Sequence, residues 1–315
     1  MSTLFALIAT VLTSFLPICN KYLLRDAAPA AVAWIINAAS LPILALGTLA
    51  FTQCHLHVLP GNLSVVCRWQ APHVDDVFVL ALLASAVLNW AATLLSTTAL
   101  AQADASLVSP LLTFNPAFTL LIATVTLGEV PGIRQSLGVA IILFGTYLLE
   151  VEQARTGLLV PLRVLMRKPG TLLALLASAL WGTTTVLEKL AIDHSSPPSG
   201  PVVALLGTAL LVILLAPTAW LWRRNSEYQA PASVWKGLHA HPRALSSAVL
   251  LSGVAPLFGF TAIALGLVGY ATALFKLSSV LTVLWARWFL DEGQLRSRLL
   301  GASVMVLGGL LVAVQ

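Results

Sequence analysis

Charge is scarce in this sequence. Of 315 residues only 9% are Asp, Glu, Lys or Arg, against 58% hydrophobic, and the mean hydropathy is +0.93. Soluble domains carry roughly 25% charged residues, so this chain cannot clothe a water-facing surface. A soluble enzyme, a nucleic-acid binder and a disordered chain are excluded. Cysteine is scarce too: Cys19, Cys54 and Cys67 are too few for a disulfide scaffold or a Cys-rich metal centre. No Walker-type phosphate loop, HExxH or GxSxG occurs. These absences remove ATP-driven transport by this chain alone and two familiar routes to hydrolysis.

What is abundant is apolar sequence in long runs. A hydrocarbon core about 30 Å thick takes about 20 residues of helix, and strands with open edges are not tolerated there. Runs bounded by charge, Pro or Gly predict helices near 3–24, 28–51, 77–100, 106–127, 134–150, 171–191, 200–222, 244–266, 268–289 and 297–314. The first run has no preceding Lys or Arg and no obvious cleavage site, so it reads as a retained helix and not as a signal peptide. Longer loops fall at 52–76 and 223–243. The fold class predicted is an all-α integral membrane protein of ten transmembrane helices, in an inner or plasma membrane.

The 17 Lys and Arg residues are unevenly spread. Alternate connections hold Arg25, Arg155, Arg163, Arg167, Lys168, Arg223, Arg224, Lys236, Arg243, Arg296 and Arg298, whereas the opposite side holds Arg68 and Arg134. Lys21, Lys189, Lys276 and Arg287 fall within spans. The positive-inside rule puts the rich side in the cytoplasm and both termini outside.

The chain repeats itself. Residues 2–23 laid on 170–191 match at Thr3/Thr171, Ala6/Ala174, Leu12/Leu180 and Lys21/Lys189. Residues 98–148 laid on 261–311 match at Thr98/Thr261, Thr119/Thr282, Ala123/Ala286, Glu129/Glu292, Gly138/Gly301 and Gly145/Gly308. Shared hydrophobicity alone would not pair the sparse Lys, Glu and Gly residues. Residues 1–155 and 156–315 thus read as two five-helix repeats in one membrane domain. Because five is odd, the halves must enter the membrane in opposite directions. Inverted repeats of this kind build many secondary transporters, with the solute site near the midplane.

The run from Ala105 to Leu149, with Pro116 in mid-helix, Leu127-Gly128-Glu129 at a helix end and Gly138 and Gly145 beyond it, resembles the drug/metabolite transporter superfamily, EamA type. The second copy keeps Leu290-Asp291-Glu292, Gly301 and Gly308, and Trp181-Gly182 is similar to the family as well. Thr13-Ser14 and Ser278-Ser279 depart from the pattern. The resemblance implies two halves of five helices, with helices 1–4 and 6–9 around a cavity and helices 5 and 10 outside. It also implies cytosolic termini in many members; the charge count is kept here. The family's solutes span amino acids, drugs, sugar phosphates and nucleotide sugars.

An ionisable group near the bilayer centre costs about 2.5–3.5 kcal/mol on insertion scales and calls for a partner or a cavity. Lys276 reads as deep in helix 9, on a stripe with Thr272, Ser279 and Val283. It either faces the cavity to meet an anion or pairs with Glu188. Glu188 lies on helix 6 in line with Trp181 and Thr185, opposite the helix-1 stripe of Thr13, Pro17 and Asn20, and can carry a coupling proton or pair with Lys276 or Lys189. Asn37 and Trp34 on helix 2, Ser85, Asn89 and Trp90 on helix 3, and Ser106, Ser109, Thr113 and Asn115 on helix 4 are further lining candidates, although small hydroxyls also pack helices. Lys21 and Lys189 read as snorkelling, and Glu129 and Glu292 as structural. Cys54, His55, His57, Cys67 and His73 match no standard zinc spacing, so neither metal nor cofactor is expected. On this topology a Cys54–Cys67 disulfide could form outside, beside the sequon Asn62-Leu63-Ser64.

The function expected is secondary active transport of a small organic metabolite by alternating access, in a monomer or homodimer, with a proton or counter-solute as partner and the lipid bilayer as solvent. Anion exchange through Lys276 is the alternative. An intramembrane enzyme on lipids or a non-transporting scaffold is the rival of another class.

Overall fold

The computed structural model describes residues 2–59, 62–67, 73–112, 114–115, 117–118, 132–148, 168–225, 241–265, 274–293 and 295–313. Among these are ten helices: α1 (Ser2–Leu23), α2 (Pro29–Gln53), α3 (Asp76–Gln102), α4 (Ala105–Leu112), α5 (Ile133–Leu148), α6 (Pro169–Asp193), α7 (Gly200–Asn225), α8 (Pro242–Leu265), α9 (Leu277–Phe289) and α10 (Leu295–Ala313). Each begins or ends within a few residues of its predicted span, apart from the far end of α4 and the start of α9. Six of them (α1, α2, α3, α6, α7 and α8) are long and apolar enough to cross a membrane. Side chains such as Leu80, Ile213 and Leu307 stand 60–68% exposed, as befits a surface that faces lipid.

Two predicted helices are interrupted. In the span 106–127 the first helix ends at Leu112; Phe114 N bonds Leu111 O at 3.1 Å, Ala117 N bonds Phe114 O at 3.0 Å, and residues 115, 117 and 118 are helical again. Pro116 has no N–H to offer the Leu112 carbonyl four residues back, and that carbonyl instead accepts from Ser178 Oγ of α6 at 3.2 Å. The span 268–289 is interrupted at Lys276, which precedes α9 where mid-helix was expected. Thr113, Pro116, residues 119–131 (Glu129 among them) and residues 268–273 of predicted helix 9 lie outside the described residues.

The chain is not purely helical. The loop after α2 folds into an antiparallel hairpin, β1 (Cys54–Leu59) with β2 (Asn62–Cys67), with Cys54 opposite Cys67. A two-residue strand β3 (His73–Val74) pairs with β4 (Ser195–Ser196) after α6. Alternation this short is invisible beside 20-residue apolar runs.

Packing follows a rule. α1 packs on α8 and α3 on α6; α2 packs on α7, α4 on α9 and α5 on α10. Further contacts join α2 to α8 and α7 to α3, then α1 to α9 and α6 to α4. Each of these pairings maps onto a pairing in the same set when every helix is exchanged for the one five places along. The α5–α10 contact is made by repeated glycines: a Cβ on Gly145 would stand 2.7 Å from Met305 N, and one on Gly308 2.7 Å from Gly138 O.

Helix ends fix directions. Lys21 Nζ, near the end of α1, donates to Leu100 O and Ala103 O at the end of α3, at 2.7 and 2.6 Å. α1 and α3 therefore finish at one face, and Lys21 caps carbonyls instead of snorkelling. At the other face His194, just past α6, lies 2.7 Å from Asp75, just before α3. α6 therefore finishes where α3 begins. Asp75 also accepts from Phe78 N as the N-cap of α3 at 2.8 Å. The His194 hydrogen bond foremost, with that amide, holds the Asp75 carboxyl below its usual range. A matching pair, Asp26 with His241 at 3.1 Å, joins the end of α1 to the start of α8.

Candidate functional site

Two ionisable side chains in the predicted spans, Glu188 and Lys276, are held by neutral partners. Glu188, on α6, accepts at Oε1 from Asn89 Nδ2 at 2.8 Å and from Ser85 Oγ at 3.2 Å. Ser85 and Asn89 stand one turn apart on α3, so the α3–α6 contact aims both at the carboxylate. The donation from Asn89 to Ser85, at 3.2 Å, links the three into one network.

Lys276 sits 8% exposed where α9 begins. Its Nζ donates to Asn115 Oδ1, just beyond α4. The expectation that it meets a carboxylate is corrected: among the described residues its ammonium pairs with this amide and forms no salt bridge with Glu188. The two charges therefore belong to separate networks, Glu188 between α3 and α6, Lys276 between α4 and α9. Ser279, fully buried one turn on, spends its hydroxyl on Lys276 O at 2.9 Å.

The other candidates divide by how their polar atoms are used. Thr185 Oγ1 bonds Trp181 O within α6 at 3.0 Å, and Asn37 Nδ2 bonds Ala33 O within α2 at 2.8 Å. These groups satisfy their own helices. By contrast, Asn20 Oδ1 and the indole N–H groups of Trp34 and Trp90 are buried with no hydrogen-bond partner among the described residues. Trp34 and Trp90 pack in one cluster with Ala33, Leu211 and Leu215, between α2, α3 and α7. A buried polar group left unpaired costs about 1–3 kcal/mol; Thr171 Oγ1, Ser199 Oγ and Arg298 Nε share this condition. Asn20 is the repeat mate of Glu188. Thr113 lies outside the described residues.

Among the described residues no three His, Cys, Asp or Glu side chains gather as metal ligands; the side chains of Cys54, His55, His57 and Cys67 lie outside the description.

The sequence reading missed one cluster. Arg298, by sequence position one of the loop cations, stands in α10 with its side chain 5% exposed, 2.7 Å from Asp104 and 3.5 Å from Glu292. The one signal available in advance was the repeat identity Glu129/Glu292, which marks the position without naming its partners.

A family model described as the EamA-like transporter family matches residues 1–151 and 168–314. No curated protein matches the sequence. A solved structure titled only "Crystal structure of protein" superposes with a TM-score of 0.61 at 13% identity, covering 98% of this chain and 95% of the other. At that identity the likeness carries the fold alone.

Proposed function

The chain belongs to the EamA-like transporter family, a family of membrane transporters and not of enzymes, and from that premise we propose that it is a secondary active transporter that moves a small organic metabolite by alternating access, the solute lying between two inverted five-helix repeats. The observation that carries this reading is the direction of the repeat mates. α1 finishes at the face where α3 finishes, through Lys21, and α6 finishes at the face where α3 begins, through His194. Mates that run oppositely, with helix pairings that interchange under a five-helix shift, are the signature of an inverted repeat. Such a device has two nearly equivalent states, one open to each face.

Glu188 and Lys276 are the solute-facing charges in this reading, with Asn89 and Asn115 as their amide partners and Asn20 and Trp90 as further polar lining groups. A carboxylate held by two neutral donors can take and release a proton as the site is exposed to each face in turn. A buried ammonium held by one amide favours a second version, exchange of anionic solutes, because its charge is met by no carboxylate among the described residues.

Reconstituted protein separates the versions. Solutes that raise the melting temperature are assayed for counterflow in liposomes with wild type, Lys276→Ala and Glu188→Gln. Proton-coupled transport predicts that Glu188→Gln abolishes dependence on a pH gradient while Lys276→Ala retains much of the flux. Anion exchange predicts that Lys276→Ala abolishes flux while Glu188→Gln retains it. Full counterflow in both variants would refute the assignment of these residues to the site.

A further inference from the structure

At the Lys/Arg-rich face, four charged side chains from both halves of the chain converge on the short turn between α3 and α4. Lys21 donates to Leu100 O and Ala103 O, the carbonyls that end α3. The carboxylate of Glu292, in the turn between α9 and α10, accepts from the first two backbone amides of α4, Ala105 N and Ser106 N, each at 2.9 Å, and from the Ser106 hydroxyl. Arg298, one turn into α10, donates through Nη2 to Asp104 at 2.7 Å and through Nη1 to the Ser106 hydroxyl. The Arg298 and Glu292 side chains are 5% and 8% exposed, whereas that of Asp104 is 51% exposed. Tyr22 adds a hydrogen bond from its hydroxyl to Phe289 O, which ties the end of α1 to the end of α9.

The arrangement has a physical logic. Two cations and two anions sum to zero, so the cluster can be buried, and its strongest contacts are charge-assisted bonds to helix ends, where backbone groups have no partner of their own. Glu292 caps a helix of the other half, so its bond exists only while α4 and the α9–α10 turn stay together. The α4 that it caps leads directly to Asn115, which holds Lys276. At the opposite face Glu129, the mate of Glu292, lies outside the described residues, and the described ties are the β3–β4 pair, the Thr48 hydroxyl donating to Pro201 O at 3.2 Å, and two partly exposed ion pairs. Lys189, the mate of Lys21, pairs with Asp193 on its own helix at 2.7 Å, with 30% and 52% exposure, and Asp75 meets His194 at a half-exposed surface.

We propose that Glu292 and Arg298 are positioning residues of the transport cycle, a latch that shuts the solute path at the Lys/Arg-rich face and parts when the path opens there. This rests on the alternating-access reading. When the latch parts, all four groups enter water at the face where they already lie, so opening leaves no charge stranded in hydrocarbon.

The test uses sidedness, which a purely structural role would leave alone. Thr185→Cys is placed in full-length protein lacking native cysteines, in sealed vesicles, and a membrane-impermeant maleimide is added at one face or the other. With the latch intact, labelling from the Lys/Arg-rich face is slow but measurable. Glu292→Gln should speed it by about tenfold, the shift expected when one charge-assisted hydrogen bond favouring the closed state is lost, and should slow labelling from the opposite face. Asp104→Asn, at an exposed position, should act in the same direction and carries the test if Glu292→Gln does not fold. Folded variants that label as the parent does from both faces would overturn the latch while leaving alternating access intact. A parent never reached from the Lys/Arg-rich face, with or without stabilising solute, would overturn both.

Discussion

A carboxylate and an ammonium 4 Å apart attract by about 4 kcal/mol at an effective dielectric constant of 20, yet Glu188 and Lys276 each take an amide instead. The arrangement predicts an asymmetry between the members of a pair. Removing the neutral partner leaves a buried charge uncompensated, whereas removing the charge itself does not. Asn115→Leu should therefore destabilise the protein by roughly 1.5–3 kcal/mol, the range for a hydrogen bond to a charged group. Lys276→Met should be neutral or stabilising. Thermal unfolding of the two variants in one detergent checks this; equal destabilisation by both would refute it. The presence of these two ionisable residues was legible in sequence, because any charge within a span calls for an explanation. Their partners were not: Asn89 is 99 residues from Glu188 and Asn115 161 from Lys276, and no local spacing encodes such contacts. The same holds for Arg298, which in sequence is one more cation beside Arg296.

Among the elements, those that the bilayer dictates were the most readable. Each of the ten predicted runs holds a described helix, and six of these are long and apolar enough to span a bilayer, where a segment must satisfy its backbone internally. The run 106–127 is broken locally after Leu112, whose carbonyl accepts from Ser178 of another helix, and the described residues 115, 117 and 118 beyond the break are again helical. The hairpin β1–β2 went unread because short strands in a polar loop lack the length that made helices obvious. Close helix approach is where glycine identity decides the outcome. Gly to Ala inside a helix ordinarily gains about 1 kcal/mol, and Gly207→Ala should follow that rule, since its Cβ would meet only Leu82 Cδ1 at 3.7 Å. At Gly308 the sign should reverse, because the nearest atoms, Gly138 O and Ile142 N at 2.7 Å, are backbone and cannot step aside. Gly308→Ala should cost about 1–3 kcal/mol, as overpacking does, with α5 and α10 parting first. Unfolding midpoints of the two variants, compared side by side, test the prediction; stabilisation by Gly308→Ala would contradict the packing.

For the whole molecule, the proposed function depends on two halves that enter the bilayer in opposite senses. The repeat identities, the odd number of spans per half and the uneven Lys and Arg all point to it from sequence. The two His–Asp pairs join corresponding helix ends at opposite faces: Asp26 after α1 with His241 before α8, and His194 after α6 with Asp75 before α3. The direct measurement is the sidedness of the α1–α2 and α6–α7 turns. Arg25→Cys and Pro198→Cys, each exposed and each introduced alone into cysteine-free protein, are probed with a membrane-impermeant maleimide added to one side of sealed, uniformly oriented vesicles. Arg25→Cys should react only from the Lys/Arg-rich side and Pro198→Cys only from the other. Reaction of both from the same side would mean that the halves insert in parallel, and an alternating-access transporter built on this fold would be ruled out.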